Sequence, residues 1–383
     1  MKIKVAVVGI GAIGGGLVSL LRRFDDMEVV AVADRSVDAF NRIMPYLSKD
    51  TLTTTDPLKV LLRKPDVLVE ATGSLETAIL VSRAIDEKIH VILVNSELDQ
   101  IFGLLLSRHA IANGVVLTSD AGDQPGVLAR LIEDVSGMGF EVVMAGNNKG
   151  FLDRYANPQS IEKEAAKRHL SLKQCAAYTD GTKLAIEMAL VANGFGYDIF
   201  RTGMIGPTVE NVEDALHVFD FSMARQLGGA VDYVLGARPG GSVFIIGYSD
   251  DAEIRFYMDY YKMGSGPYYL FMRPYHLCHF ETPYAIRRIM EHRKPILVQR
   301  KRVLEVGCRA KTDLRAGTKL DGIGGYHLYG LLEKVGGLPI GLAEGAVLLK
   351  PKKRDETISW DDVELPHEAP LMSLWRQQAS LED

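Results

Sequence analysis

Lys4-Val5-Ala6-Val7-Val8-Gly9-Ile10-Gly11-Ala12-Ile13-Gly14 is the stretch whose reading decides the fold. Val5 to Val8 is a continuous apolar run ended by Gly9, the pattern of a strand buried on both faces. Beyond Gly14, Leu17, Leu20, Leu21 and Phe24 recur at helical spacing. Val29-Val30-Ala31-Val32-Ala33 is a second strand, ending at Asp34. Strand, glycine turn, helix and strand form a βαβ unit, whose crossover is right-handed.

Each glycine of the turn has its own task. Gly9 permits the tight bend, Gly11 lets a pyrophosphate approach the backbone, and Gly14 lets the helix pack against the strand. With Ala12 and Ile13, the start of the helix offers free N–H groups to phosphates. Gly9, Gly11, Ala12, Ile13 and Gly14 are therefore expected to hold a dinucleotide. Asp34 stands where a carboxylate accepts ribose hydroxyls, which favours NAD slightly. Arg35 and Ser36 follow at once and are placed to hold a 2′-phosphate if Asp34 turns away. The expected cofactor is NAD or NADP, with the choice open.

The alternation continues through strands at Pro65–Ala71, His90–Val94 and Val115–Thr118, with a helix over Thr77–Ile85. These elements make an open, mostly parallel sheet, a Rossmann domain. Glu70-Ala71-Thr72-Gly73 and Asn95-Ser96-Glu97 fall at strand ends, so Thr72 and Gly73 join the expected cofactor contacts. Phe140 to Ala145 reads as a sixth strand, ending in Gly146-Asn147-Asn148-Lys149-Gly150. Lys149 and Asn147 there are candidates for contact with substrate or cofactor.

Beyond the polar stretch Asp153–Ser171, Thr179-Asp180-Gly181-Thr182-Lys183 opens a helix, with Asp180 its expected N-cap. Lys183 and Glu187 are four residues apart and share a face. A lysine flanked by carboxylates can exchange a proton with a substrate oxygen, because the carboxylates orient it and partial burial lowers its pKa. Lys183, Asp180, Glu187 and Lys149 are the candidate catalytic groups. Ser242–Gly247, Ile254–Tyr261 and Pro267–Met272 read as strands of an antiparallel sheet. Arg273, Tyr275 and His276 follow as a candidate grip on a polar or anionic substrate. His276-x-x-His279 with Glu281 fits no zinc spacing, so no metal is expected. From Gly307 onward the pattern is short-stranded and loop-rich. The expected division is a Rossmann domain over 1–150, an α+β substrate domain with an antiparallel sheet over 151–300, and a small β-rich domain over 301–383.

Bulk composition narrows the function. A net charge of −5 gives no footprint for nucleic acid. No apolar run approaches the ~20 residues of a membrane helix, and Met1-Lys2-Ile3-Lys4 leads straight into a strand pattern rather than a signal peptide. Three well-separated cysteines exclude a disulfide framework or a thiolate zinc site. A cytoplasmic protein acting on a small molecule is expected.

Together these motifs resemble the homoserine-dehydrogenase-like oxidoreductases that carry a C-terminal SAF domain, a group with DXR-like reductoisomerases among its members. The resemblance rests on Gly9–Gly14, Gly122-Asp123-Gln124-Pro125, Gly146–Gly150, Asp180–Lys183 and Arg273-Pro274-Tyr275-His276-Leu277. For the SAF part it rests on Asp313-Leu314-x-Ala316-Gly317 and Thr357–Val363. It implies hydride transfer to or from a hydroxy or keto group on a small polar, perhaps phosphorylated, substrate, with Lys183 moving the proton and Arg273 contacting an anion. It also implies a homo-oligomer. Two alternatives stand beside it. One is a reductoisomerase that converts 1-deoxyxylulose 5-phosphate to methylerythritol phosphate with NADPH. The other is a non-enzymatic dinucleotide sensor or scaffold. No Gly-Thr-x-Asn-Tyr motif of homoserine dehydrogenases occurs.

Overall fold

The computed structural model describes residues 2–168, 170–366 and 369–381. They belong to two compact units, one of Met1–Gly126, Leu277–Arg300 and Glu368–Asp383, the other of Val127–His276 and Lys301–His367.

The first unit is built on β1 (Ile3–Val8), β2 (Met27–Ala33), β3 (Leu52–Thr54), β4 (Val67–Glu70), β5 (His90–Leu93) and β6 (Leu117–Ser119). They form one sheet in the order β3-β2-β1-β4-β5-β6, with every pairing parallel. The strand order reverses between β1 and β4, so the crevice for a ligand lies at the carboxyl ends Val8 and Glu70. Helices α1 (Ala12–Leu21), α2 (Val37–Ile43), α3 (Ala78–Asp86) and α4 (Ser96–Ala112) connect the strands. Val5 and Val7 of β1 share a fully buried core with Leu17, Val18 and Leu21 of α1. Each such side chain contributes roughly 1.5–3 kcal/mol by leaving water. A helix at Cys278–His292 adds Ala285, Ile286 and Ile289 to the same core. The last helix, Ala369–Ala379, is tied to α4 where Leu105 N–H donates to Gln378 Oε1 at 2.7 Å.

The second unit contains α5 (Gln124–Gly137, which begins three residues before it), β7 (Glu141–Lys149), α6 (Glu162–Arg168), α7 (Leu172–Thr179), α8 (Thr182–Phe195), α9 (Phe221–Gln226), β8 (Ala230–Leu235), β9 (Val243–Tyr248), α10 (Ala252–Tyr260), β10 (Tyr268–Arg273), β11 (Leu304–Ala310) and β12 (Leu328–Lys334). Its main sheet runs β10-β9-β7-β8, with β7 and β8 parallel and the other pairs antiparallel. A smaller sheet joins β11, β12 and Thr357–Ile358. Helix α8 is buried from Thr182 to Gly194. Residues of the C-terminal segment hold both its ends. Gly330 N–H donates to Thr182 Oγ1 at 2.8 Å, and Asn193 Nδ2 donates to Leu304 O at 3.0 Å.

Three expectations about elements change. The sixth strand of the parallel sheet is β3, which the sequence reading missed: it has only three residues and pairs solely with β2. The segment read as the sixth strand is β7, which lies in the second sheet. Ile254–Tyr261, read as a strand from its aromatic content, belongs mostly to helix α10. Asp251 caps that helix by accepting from the Glu253 and Ile254 N–H groups, while β9 and β10 pair directly with each other. Lastly, the N-cap of α8 is Gly181 at φ +87°, not Asp180, which ends α7.

Candidate active site

In the first unit the glycine loop is shaped by its neighbours. Gly9 has φ +86°, and a Cβ there would lie 2.6 Å from the Ala71 carbonyl. A Cβ on Gly14 would lie 1.9 Å from Gly9 O. Both glycines are therefore demanded by the protein itself. Gly11 is different: its φ is −67°, and a Cβ there would meet nothing within 4 Å. Neither backbone nor packing requires glycine at that point, so the open face fits the approach of a pyrophosphate. Gly11 is also the N-cap of α1, which carries no side-chain cap, and Ala12 and Ile13 begin the helix. Its leading N–H groups suit phosphate oxygens.

The second wall of the loop is the turn after β4. Glu70 is fully buried, and its Oε1 accepts from Thr72 N–H at 2.9 Å, from the Thr72 hydroxyl and from the Thr77 hydroxyl at 3.1 Å. Burial pushes this carboxyl up to about 7, against the pull of those donors. Gly73 follows at φ +74°. Asn95 Nδ2 donates to Ser74 O at 3.0 Å and fixes the far side of the turn. Asp34 points back at the loop, accepting from Ile10 N–H and Ser36 N–H, each at 2.8 Å. Arg35 is exposed. Gly122 owes its place to close approach: a Cβ there would lie 2.0 Å from Cys278 O.

In the second unit the end of β7 meets α8. Lys149 Nζ donates to Glu187 Oε2 at 3.1 Å, and Asn147 Nδ2 donates to the same oxygen at 3.3 Å. The Glu187 side chain is 3% exposed and that of Lys149 16%. Lys183 is buried one turn before Glu187 on α8. Asp180 does not join this group. Its Oδ1 accepts from Thr182 N–H at 2.8 Å, and its Oδ2 is paired with Lys311 Nζ at 2.7 Å. Lys311 also donates to Ala156 O at 2.6 Å and Gly325 O at 2.9 Å. The expected constellation is thus divided: Lys149, Asn147 and Glu187 make one cluster, and Asp180 belongs to a buried pair at the helix start. Burial raises the Asp180 carboxyl, and the Lys311 ammonium opposes that rise.

Arg273 ends β10, and its guanidinium lies 4.6 Å from the centre of the Tyr275 ring. His276 Nδ1 is 3.1 Å from Gly241 O. A carbonyl only accepts, so Nδ1 carries the proton in that contact.

Known proteins match two parts of the chain. Residues 9–100 match the NAD binding domain of homoserine dehydrogenase, and residues 122–282 match the catalytic domain of oxidoreductase DRL. The chain thus carries a match to a homoserine-dehydrogenase-type NAD binding domain followed by a match to an oxidoreductase catalytic domain. The chain is 25% identical over 248 residues to the homoserine dehydrogenase of Synechocystis sp. (strain ATCC 27184 / PCC 6803 / Kazusa). That alignment covers 60% of this chain and spans 55% of the relative's length. Among solved structures, a probable dehydrogenase from Thermotoga maritima is 15% identical, with TM-score 0.39, covering 65% of this chain and 73% of that chain. The dipicolinate-bound dihydrodipicolinate reductase from Paenisporosarcina sp. TG-14 is 12% identical, with TM-score 0.40, covering 77% and 97%. No helix among the described residues is long and apolar enough to cross a membrane.

Two residues of these sites escaped the sequence reading. Lys311 sits far along the chain from Asp180 and carries no local signal. Arg42, whose Nη2 donates to Ile10 O at 3.4 Å, likewise carries no local signal.

Proposed function

We propose that the chain transfers a hydride between NAD(P) and a hydroxy or keto carbon of a small, polar, anionic substrate. The observation that carries this reading is the Lys149–Glu187 pair, its carboxylate buried, beside Lys183, inside the segment that matches an oxidoreductase catalytic domain. When bound, the dinucleotide supplies or accepts the hydride at its nicotinamide ring. The chain's own residues handle the proton and the charge. Lys183 gives or takes the proton of the substrate oxygen. Glu187 holds Lys149, with Asn147 fixing the same carboxylate oxygen. Arg273 and His276 Nε2 contact the anionic and polar parts of the substrate. Asp180 serves the start of α8 rather than the proton.

A second reading, a reductoisomerase of the DXR-like kind, is favoured by one observation. The stretches Gly122–Pro125, Gly146–Gly150, Asp180–Lys183 and Arg273–Leu277 all fall inside the DRL catalytic match. Nicotinamide absorbance followed with 1-deoxyxylulose 5-phosphate and with a panel of hydroxy and keto acids and polyols separates the two. Oxidation of NADPH with the sugar phosphate selects the reductoisomerase. Turnover with another member alone selects the general oxidoreductase. No turnover with any member counts against both.

A further inference from the structure

A cavity lies at the amino ends of β4, β5 and β6, the opposite end of the parallel sheet from the dinucleotide crevice and wholly within the first unit. Its volume is about 690 Å³, the size of a small-molecule site. Four helical segments end at it: the turn Pro57–Arg63, α3, α4 and the helix Cys278–His292. Each closes with a left-handed residue, Lys64 at φ +46°, Lys88 at +63°, Gly114 at +68° and Arg293 at +53°. Glycine is the usual residue at such helix ends, because it has no Cβ to clash. Here only Gly114 follows that rule, and the other three positions carry exposed basic side chains. The carbonyl ends of helices attract cations, which accounts for basic residues in the last turn. It does not account for their standing at the left-handed position itself.

Within the cavity two donors meet. His90 is buried, and Val116 N–H donates to its Nδ1 at 2.8 Å. Nδ1 is therefore the ring acceptor, and the proton of the neutral imidazole is on Nε2. Burial and the Arg293 charge keep the ring neutral, lowering it to about 4. Nε2 faces Arg293 Nη1. A guanidinium has no acceptor, so the contact sets N–H against N–H and satisfies neither. Among the described residues, Arg293 makes no ion pair, and the Lys64 ammonium has neither a hydrogen bond nor an ion pair. Asp66 and Glu87 are the acidic groups of the wall, against three basic ones. Asp66 Oδ2 already accepts from Lys4 N–H at 2.8 Å. Ile89, Val115 and Met290 supply apolar lining.

We infer that this cavity binds a small organic anion, whose carboxylate or phosphate oxygen bridges His90 Nε2–H and the Arg293 guanidinium beside the Lys64 ammonium. An anionic oxygen placed there gives both facing donors the acceptor they lack, in charge-assisted bonds. The apolar body of the ligand lies against Ile89, Val115 and Met290. The proposed hydride transfer uses none of these residues, so the site is separate from it.

The test is calorimetric titration of the full chain with inorganic phosphate and with succinate, at constant ionic strength. NADH and NADPH are both present in excess to fill the dinucleotide crevice. At least one probe is expected to bind with a Kd of about 10 mM or tighter, and the better probe tells phosphate from carboxylate as the ligand group. Arg293→Gly is expected to weaken that probe at least about tenfold. Its thermal midpoint without probe is expected to equal or exceed that of the wild type, since glycine adopts φ +53° freely. Lys64→Gly is expected to weaken the probe about threefold, again with no loss of thermal midpoint. Binding of neither probe by the wild type overturns the inference. So does unchanged probe affinity in both variants, which would leave the basic residues serving the helix ends alone. A lowered midpoint in Arg293→Gly also overturns it, because the arginine would then be held for the helix and not for a ligand.

Discussion

Lys311 Nζ lies 2.7 Å from Asp180 Oδ2, so a lysine of the C-terminal segment closes the start of the helix that carries Lys183 and Glu187. Both side chains are almost fully buried, and the ammonium also donates to two carbonyls. Breaking a buried pair by removing one partner strands the other charge, at a cost of roughly 3–5 kcal/mol. Lys311→Met is expected to lose stability of that order in urea unfolding. Asp180→Asn/Lys311→Met is expected to recover part of it. A single variant within about 1 kcal/mol of wild type would show that the pair holds nothing together.

The glycine loop separates structural from ligand-facing positions. Gly14→Ala places a methyl group 1.9 Å from Gly9 O and is expected to cost at least about 2 kcal/mol of stability. Gly11→Ala meets nothing within 4 Å and is expected to fold normally. It is nevertheless expected to weaken dinucleotide binding by about tenfold or more, because the methyl occupies the path of the pyrophosphate. Calorimetric Tm and dinucleotide Kd for both variants check this contrast. Unchanged affinity in Gly11→Ala would remove the phosphate from that face.

Glu70 gives a pH signature. In the folded chain it keeps its proton up to about 7, against 4.5 as its ordinary value, because it is buried. Between these values the folded state holds the proton and the unfolded state has released it. The stability contribution of Glu70 therefore falls as pH rises from 4.5 to about 7, then levels off. Glu70→Gln is expected to be the more stable protein at pH 8, by up to about 3 kcal/mol, with the gap closing at pH 4. Denaturant midpoints across that range measure it. A constant gap would mean that Glu70 titrates normally.

The Lys149–Glu187 contact is the part of the site that the fold assembles from two separate elements. Glu187→Gln leaves Lys149 without the negative charge it faces at 3.1 Å. Turnover is expected to fall about 10²-fold while NADPH affinity stays within about threefold. Steady-state kinetics beside a binding titration report the two quantities separately.

The sequence made the first unit legible because its signals are local. A run of β-branched residues, the turn glycines Gly9, Gly11 and Gly14, and a helical stripe all lie within Lys4–Phe24, and the observed β1 and α1 follow them. β3 escaped because three residues at a sheet edge carry no period. β7 was misplaced because a buried strand reads alike in either sheet, and only its pairing with β8 and β9 assigns it. α10 was misread because exposed aromatics imitate β propensity, while its deciding signal was the cap at Asp251. Within the site, Lys183 and Glu187 could be grouped by helical spacing. The partners Lys149 for Glu187 and Lys311 for Asp180 are set by tertiary packing, so the sequence placed Asp180 in the wrong cluster.

Replacement of Lys183 tests the function most directly. Lys183→Met should be assayed by nicotinamide absorbance with the substrate that the panel identifies, and by titration with NADPH. Turnover is expected to fall by about 10²–10⁴-fold while NADPH affinity stays within about threefold of wild type. A Lys183→Met enzyme that keeps full turnover would contradict the assignment of proton transfer to α8.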